Sequence, residues 1–300
     1  MATITTSTTD FPEKLVPELF KRIAGHSSLA KLGGKTPVRF AGTEQFVFSM
    51  DGEAAIVGEG DNKPAGDAAF TPVTITPIKF VYQHRLTDEF VRMAEEAQVP
   101  YLQAFTEGFA AKIARALDIA AFHGIDPASR TAVSSLATKN FDSLLASTAV
   151  TYDSAHPDDN LDTAINAIVS NNRVVNGIAM SYAFGAAMGA LKDEANSNRS
   201  LYPEFRFGQS PAAMGNMTID VNDTVNYNTA ADYAVVGDFK NAFRWGYAAN
   251  IPMEIIQYGD PDGQGDLKRK NQIVLRAEAY IGWGILDAGS FRLIKQASNG

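Results

Sequence analysis

Cysteine is absent from the 300 residues. That excludes disulfides, thiolate nucleophiles and cysteine-based zinc sites together, and it favours a reducing compartment or an unstapled protein. Long apolar runs are missing as well. No stretch reaches the roughly eighteen residues a membrane-spanning helix requires, so none is predicted. Met1 to Asp10 has neither the basic flank nor the apolar core of a signal peptide and reads as a flexible tail. Basic residues are outnumbered, with 26 Lys and Arg against 34 Asp and Glu and a formal charge of −8. Tight grip on nucleic acid over a broad surface needs the opposite balance and is not expected.

The chemistry-bearing motifs are missing too. His26, His84, His123 and His156 are far apart and show no HxxxH or HxxEH spacing, so they read as packed or surface residues and no metal site is expected. There is no GxxxxGK[ST] phosphate loop and no GxSxG elbow. Gly263-Gln264-Gly265 runs on into Asp266, Leu267 and Lys268, which breaks the dinucleotide fingerprint. Asp158-Asp159 is an adjacent acid pair on a loop and reads as a solvated helix entry. No catalytic residue and no cofactor is expected.

What remains is a sizeable core, with 45% hydrophobic residues, and one unusual segment. Residues 43–50 (Thr-Glu-Gln-Phe-Val-Phe-Ser-Met) and Phe70 through Leu86 are strand-like runs. Residues 51–69 between them hold four glycines, five acids and one base, Lys63. A hairpin normally closes in about two to five residues, so this long polar tip predicts an arm that seeks a partner outside its own core. Along the second run the apolar face switches, from Val73 and Ile75 to Ile78, Phe80, Tyr82 and Leu86. Period-2 geometry permits that only at a break, placed here near Pro77, where the strand enters the body of the protein.

Elsewhere the pattern predicts an amphipathic helix within residues 12–24 and a short helix over Asp88 to Ala97 capped by Thr87. A long helix is expected from Pro100 to about Phe122, stopped by Gly124. Its polar side carries Glu107, Lys112, Arg115 and Asp118. A helix capped by Asp159 or Asn160, the strand 177–181 and the helix 182–194 form an α/β unit. Strands follow at 217–221, 234–239, 242–248, 253–256, 273–280 and 291–294. Two charged patches stand out: Glu53, Glu59, Asp61, Lys63 and Asp67 at the arm tip, and Asp260, Asp262, Asp266, Lys268, Arg269 and Lys270 in a late loop. They read either as solvated turns or as an acidic tip on one subunit meeting a basic run on another.

The order of these parts resembles the major capsid proteins of tailed bacteriophages with the HK97 fold, over about residues 11–295. The resemblance is most specific in Val57-Gly58-Glu59-Gly60, Lys63-Pro64 and the run from Phe70 to Phe80. It continues in the short and long helices from Thr87, in Gly237-Asp238-Phe239 and in Val274 to Tyr280. It implies an α+β chain divided as N-arm 1–36, extended β-hairpin E-loop 37–84, P-domain with spine helix 85–149, α/β A-domain 150–243, and a second P-domain part with P-loop 244–300. It further implies self-assembly in the host cytoplasm into hexamers and pentamers. These close an icosahedral virion shell around double-stranded DNA that is enclosed without sequence-specific contact. A portal and a separate scaffolding protein are the implied partners, with no membrane. Some relatives weld subunits through a lysine–asparagine bond, for which Lys63 or Lys79 with Asn271, and Glu278 as proton acceptor, are the matching positions. Alternatives are an encapsulin-like compartment shell, a ring-forming tail or adaptor component, and an enzyme with a cleft in 150–243.

Overall fold

The computed structural model describes residues 26–51, 54–60, 62, 63, 65–93, 95–193, 198–228, 231–248 and 253–297. The helix expected within 12–24 lies outside them. The first described helix, α1 (Ser28–Leu32), is capped by Ser27, whose hydroxyl accepts from the Ala30 amide at 3.0 Å. It leads into a two-residue strand, β1 (Gly34–Lys35).

β2 (Thr43–Asp51) and β3 (Asp67–Ile75) form a two-stranded antiparallel ribbon in unbroken register, from Thr43 opposite Ile75 to Asp51 opposite Asp67. The strands run further toward the tip than the apolar pattern predicts, because backbone pairing continues through the small residues Ala68 and Ala69. The buried face then switches across Thr76-Pro77. β4 (Ile78–Thr87) leaves the ribbon and pairs with β12 (Gln272–Ile285), from Ile78 opposite Ile281 to Thr87 opposite Gln272. Thr87 is therefore the last rung of a strand and not a helix cap.

Asp88 precedes α2 (Glu89–Arg92), and α3 (Glu95–His123) follows. The expected boundary at Pro100 is not observed, since α3 carries Pro100 inside it. Pro100 is the sixth residue of α3, so it removes the single bond its amide would have donated to residue 96, and the helix continues past that gap. The 29 residues extend about 43 Å at about 1.5 Å each. Gly124, in left-handed backbone at φ +66°, ends the helix, and a Cβ there would lie 2.5 Å from the Asn140 side chain.

β12 anchors the larger sheet. Its odd-numbered residues Leu275, Ala277, Ala279, Ile281 and Trp283 are buried and pack in one core with Phe105, Phe109, Ile113 and Leu117 of α3. Opposite β4, the same strand pairs with β11 (Met253–Ile256) and β10 (Phe243–Tyr247), and β1 lies parallel outside β10. α4 (Phe141–Leu145) and α7 (Phe239–Ala242) connect this body to a second sheet. That sheet is built from β5 (Val150–Thr151), β6 (Gly177–Met180), β7 (Ala213–Met214), β8 (Met217–Val221), β9 (Asp232–Gly237) and β13 (Phe291–Lys295), in the order β5-β13-β9-β6-β8-β7. Helices α5 (Pro157–Val169) and α6 (Tyr182–Ala190) cover it around Leu161, Ile168, Phe184, Ile178 and Val236. α5 begins at Pro157, ahead of both expected caps, Asp159 and Asn160, because proline suits the first helical position. Asn160 is inside the helix, and its Oδ1 accepts from the Asp153 amide at 2.7 Å.

Asp118 departs most from expectation. It is fully buried rather than on a polar face. Its carboxylate accepts from Ser27 Oγ (2.5 Å), Ser28 N (2.8 Å), Leu29 N (3.2 Å) and Thr224 Oγ1 (3.1 Å). Burial pushes its pKa up to about 7, while those four donors favour the ionised form. The carboxylate thus joins the N-terminal segment, the long helix and the 222–228 loop. Replacing it by Ala strands several buried donors, each costing about 1–3 kcal/mol. We expect D118A to lower unfolding free energy by about 3 kcal/mol or more in urea titration, and D118N to fall between it and wild type.

Candidate assembly surfaces

The ribbon presents two unlike faces. One carries Thr43, Gln45 and Val47 opposite Ile75, Val73 and Thr71, and it is partly covered. At its root Ile75 is completely buried against β12, where Gly282 and Gly284 make room: a Cβ at either would lie 2.9 Å from the Ile75 side chain. The other face carries Phe46 opposite Pro72 and Phe48 opposite Phe70. Phe46 stacks on Phe70 with centroids 4.7 Å apart, and Phe48 meets Phe70 edge-on at 6.3 Å. These rings remain 55%, 59% and 60% exposed for Phe46, Phe48 and Phe70, and Ile56 near the tip is fully exposed. This aromatic face is legible as alternation in Phe46, Phe48 and Phe70, whereas the arm contacts expected from sequence were its charges. Of those charges, Glu59 and Lys63 are exposed, Asp67 forms the last rung opposite Asp51, and Glu53 and Asp61 lie outside the described residues.

The late loop is organised by Arg85, a residue with no sequence signal linking it to that loop. Arg85 on β4 donates through Nε to both carboxylate oxygens of Asp262 (3.1 and 2.8 Å), and its Nη2 also reaches Asp262. Nη2 further donates to Asp260 (3.3 Å) and the Gly265 carbonyl (2.8 Å), and Nη1 to Gln272 Oε1 (2.9 Å). Hydrogen bonding to the Arg85 guanidinium holds Asp262 down at about pKa 2. Asp266 accepts from the Arg269 amide at 2.9 Å, and Lys270 donates to the Gln264 carbonyl. Lys268 lies over the Tyr258 ring at 5.1 Å. The loop is therefore a shaped projection with Asp266, Lys268, Arg269 and Lys270 facing solvent. Lys79 lies 2.6 Å from Glu278. Asn271 sits beyond the far end of the β4–β12 ladder, at least eight rungs or about 27 Å away, so Lys79 and Asn271 of one protomer do not meet.

Within 150–243, a cavity of about 450 Å³ is lined by Tyr182, Gly189, Phe205, Phe207, Val221 and their neighbours. Its polar side chains are Tyr182, Arg206, Gln209 and Ser210, with no carboxylate or histidine among the lining residues. That lining holds no acid–base pair.

A projecting ribbon, a long helix behind a sheet and a second helix-covered sheet recur together in solved structures. One from Mycobacterium phage Ogopogo is 31% identical, covers 91% of this chain and 92% of that chain, and superposes with a TM-score of 0.75. Another from Gordonia phage Cozz is 23% identical, covers 91% and 87%, and has a TM-score of 0.74. A third, the capsid of an empty GTA particle computed with C5 symmetry, is 16% identical, covers 91% and 90%, and has a TM-score of 0.60. The architecture is the HK97-type fold of phage capsid subunits. No curated protein sequence matches the chain. The chain belongs to the phage capsid family, which it matches over residues 11–296. It is a structural shell protein of the virion.

The loop geometry yields a pH-dependent expectation. Asp262 ionises at about 2 in the folded chain, below its ordinary 3.8. Its hold on Arg85 is whole above pH 3.8 and is lost as pH falls through about 2. The Gly265 amide resonance should titrate with a midpoint near 2 in wild type and stay flat in D262N. The same variant should exchange amide hydrogens faster over 259–271 at neutral pH, with the β12 core unchanged.

Proposed function

We propose that the chain is the major capsid protein of a tailed phage. It assembles in the host cytoplasm into hexamers and pentamers that close an icosahedral shell around double-stranded DNA. Residues 1–36 act as the N-arm, 37–84 as the E-loop, 85–149 and 244–300 as the P-domain, and 150–243 as the A-domain. A portal and a separate scaffolding protein complete the assembly, and the DNA is enclosed without sequence-specific contact. The GTA neighbour, whose capsid is computed with C5 symmetry, supports five-fold vertices for this fold.

The exposed Phe46, Phe48 and Phe70 face carries the proposal. Those rings leave about 300 Å² of apolar surface in water, worth about 8 kcal/mol if covered by a neighbouring protomer, before ordering costs. Exposed ion pairs contribute about 0.2–1 kcal/mol each. The aromatic face supplies the larger share of association energy. The charges of Glu53, Glu59, Asp61, Lys63 and Asp67, and of Asp260, Asp266, Lys268, Arg269 and Lys270, set register and rate. Asp262 serves by shaping the loop that presents the second group.

Two outcomes follow. Combined F46S, F48S and F70S substitution, like deletion of residues 52–68, should give a folded protomer with wild-type circular dichroism that fails to form shells in electron microscopy. Normal shells from either variant would refute the role of the arm. Separately, the initial rate of wild-type assembly should fall as salt rises, and in K268Q/R269Q it should be slower and nearly salt-independent. A wild-type rate indifferent to salt would remove the charge pairing.

A further inference from the structure

Three ligand-bearing side chains from separate elements converge where α3 ends. His123 closes the helix with a side chain only 3% exposed, Asp142 comes from the first turn of α4, and Asp232 opens β9. His123 Nε2 lies 2.8 Å from the Thr224 carbonyl oxygen. A carbonyl only accepts, so Nε2 carries a proton and donates it. Nδ1 therefore faces the carboxylates, at 2.8 Å from Asp142 Oδ2 and 3.4 Å from Asp232 Oδ2. Asp232 is 5% exposed, and its Oδ2 is buried with no hydrogen-bond partner. Charge is also unbalanced. Two carboxylates and the negative end of a long helix meet at most one imidazolium.

We propose that His123 Nδ1, Asp142 and Asp232 form a site for a divalent first-row metal ion of the Zn²⁺ class. The ligand atoms lie within 4.8 Å of one another. The separations of 2.8 and 3.4 Å bracket the edge of about 3.3 Å in a tetrahedron with metal–ligand bonds of about 2.0–2.1 Å. An ion here replaces the Nδ1 proton, sets two positive charges against two negative ones and gives Asp232 Oδ2 its partner. The Nε2 donation to Thr224 is the outer hydrogen bond that fixes the ligating tautomer. A cavity of about 510 Å³, lined by Gly124, Asn140 and Ser143 among others, reaches two of the three ligands, His123 and Asp142, from the solvent side. A nitrogen donor in so small a set suits Zn²⁺ better than Ca²⁺ or Mg²⁺, which take about six or more oxygens. The ion would pin the end of α3 and α4 to the second sheet, a structural role.

The test uses the full chain, stripped with a chelator and dialysed, then titrated with ZnCl₂ and in parallel with CoCl₂. One ion per subunit, the visible absorption of tetrahedral cobalt and a raised melting temperature with Zn²⁺ but not Mg²⁺ are expected. Affinity should fall by more than a hundredfold in D142N, beyond the roughly ten- to hundredfold that outer-shell partners carry, and stoichiometric binding should disappear in D232N, with each fold checked by circular dichroism. Asp142 has a partly exposed side chain, so D142N keeps the test decisive if D232N does not fold. Uptake below one ion per subunit, or uptake unchanged in D142N, would overturn the assignment.

Discussion

A two-stranded ribbon has two faces, and its own chain supplies a surface for only one of them. In this capsid subunit that limit governs the design. At the root, Ile75 fills space kept open by Gly282 and Gly284, and the switch of face at Thr76-Pro77 hands the chain from the ribbon to β4. Beyond the root, Phe46, Phe48 and Phe70 face solvent. A contiguous aromatic face of this kind marks an interaction surface. The mutual stacking of Phe46 and Phe70 keeps it ordered before a partner arrives.

An arm that docks at a distance needs a stiff body behind it. Three devices supply stiffness here, each joining segments far apart in sequence. Asp118 binds the segment at Ser27–Leu29 and Thr224 to the middle of α3. Phe141 meets Phe122, Phe239, Phe243 and Phe291 at centroid separations of 5.1–6.2 Å, locking the end of α3 to both sheets. Arg85 fastens the late loop to β4, the strand that continues the arm. Displacement at the arm root is therefore resisted by the sheet, the helix and the loop together.

Much of this was legible in the residues because it depends on periodicity. The strands at 217–221 and 253–256, the break near Pro77 and the stop at Gly124 follow from alternation and from the conformational rules of proline and glycine. Helix starts were misplaced at Pro100 and Asn160, since a proline near a helix end tolerates more than one register. Asp118 was assigned to a polar face because helical periodicity alone cannot show that a second segment covers that face. The same blindness hid the meeting of His123, Asp142 and Asp232, which are 19 and 90 positions apart in turn, and the hold of Arg85 on Asp262. Contacts at long range have no pattern in a single chain. The aromatic face did have one, in alternate residues on both strands, but a long acidic tip drew attention to charge.

The way the arm avoids indiscriminate association also follows from its residues. Among the described residues β3 pairs only with β2, and an open strand edge invites strand addition. Pro72 pairs opposite Phe46 within an unbroken ladder, so it occupies a rung whose backbone nitrogen points away from β2. The outer edge of β3 therefore lacks a donor at its centre, next to the aromatic face. An exposed Glu44 stands at the root end. Strand-to-strand growth is opposed at the outer edge of β3 and at the root end, while the broad face stays open. Docking by face buries rings without consuming backbone hydrogen bonds, so a neighbouring protomer can cover the arm and leave its ladder intact.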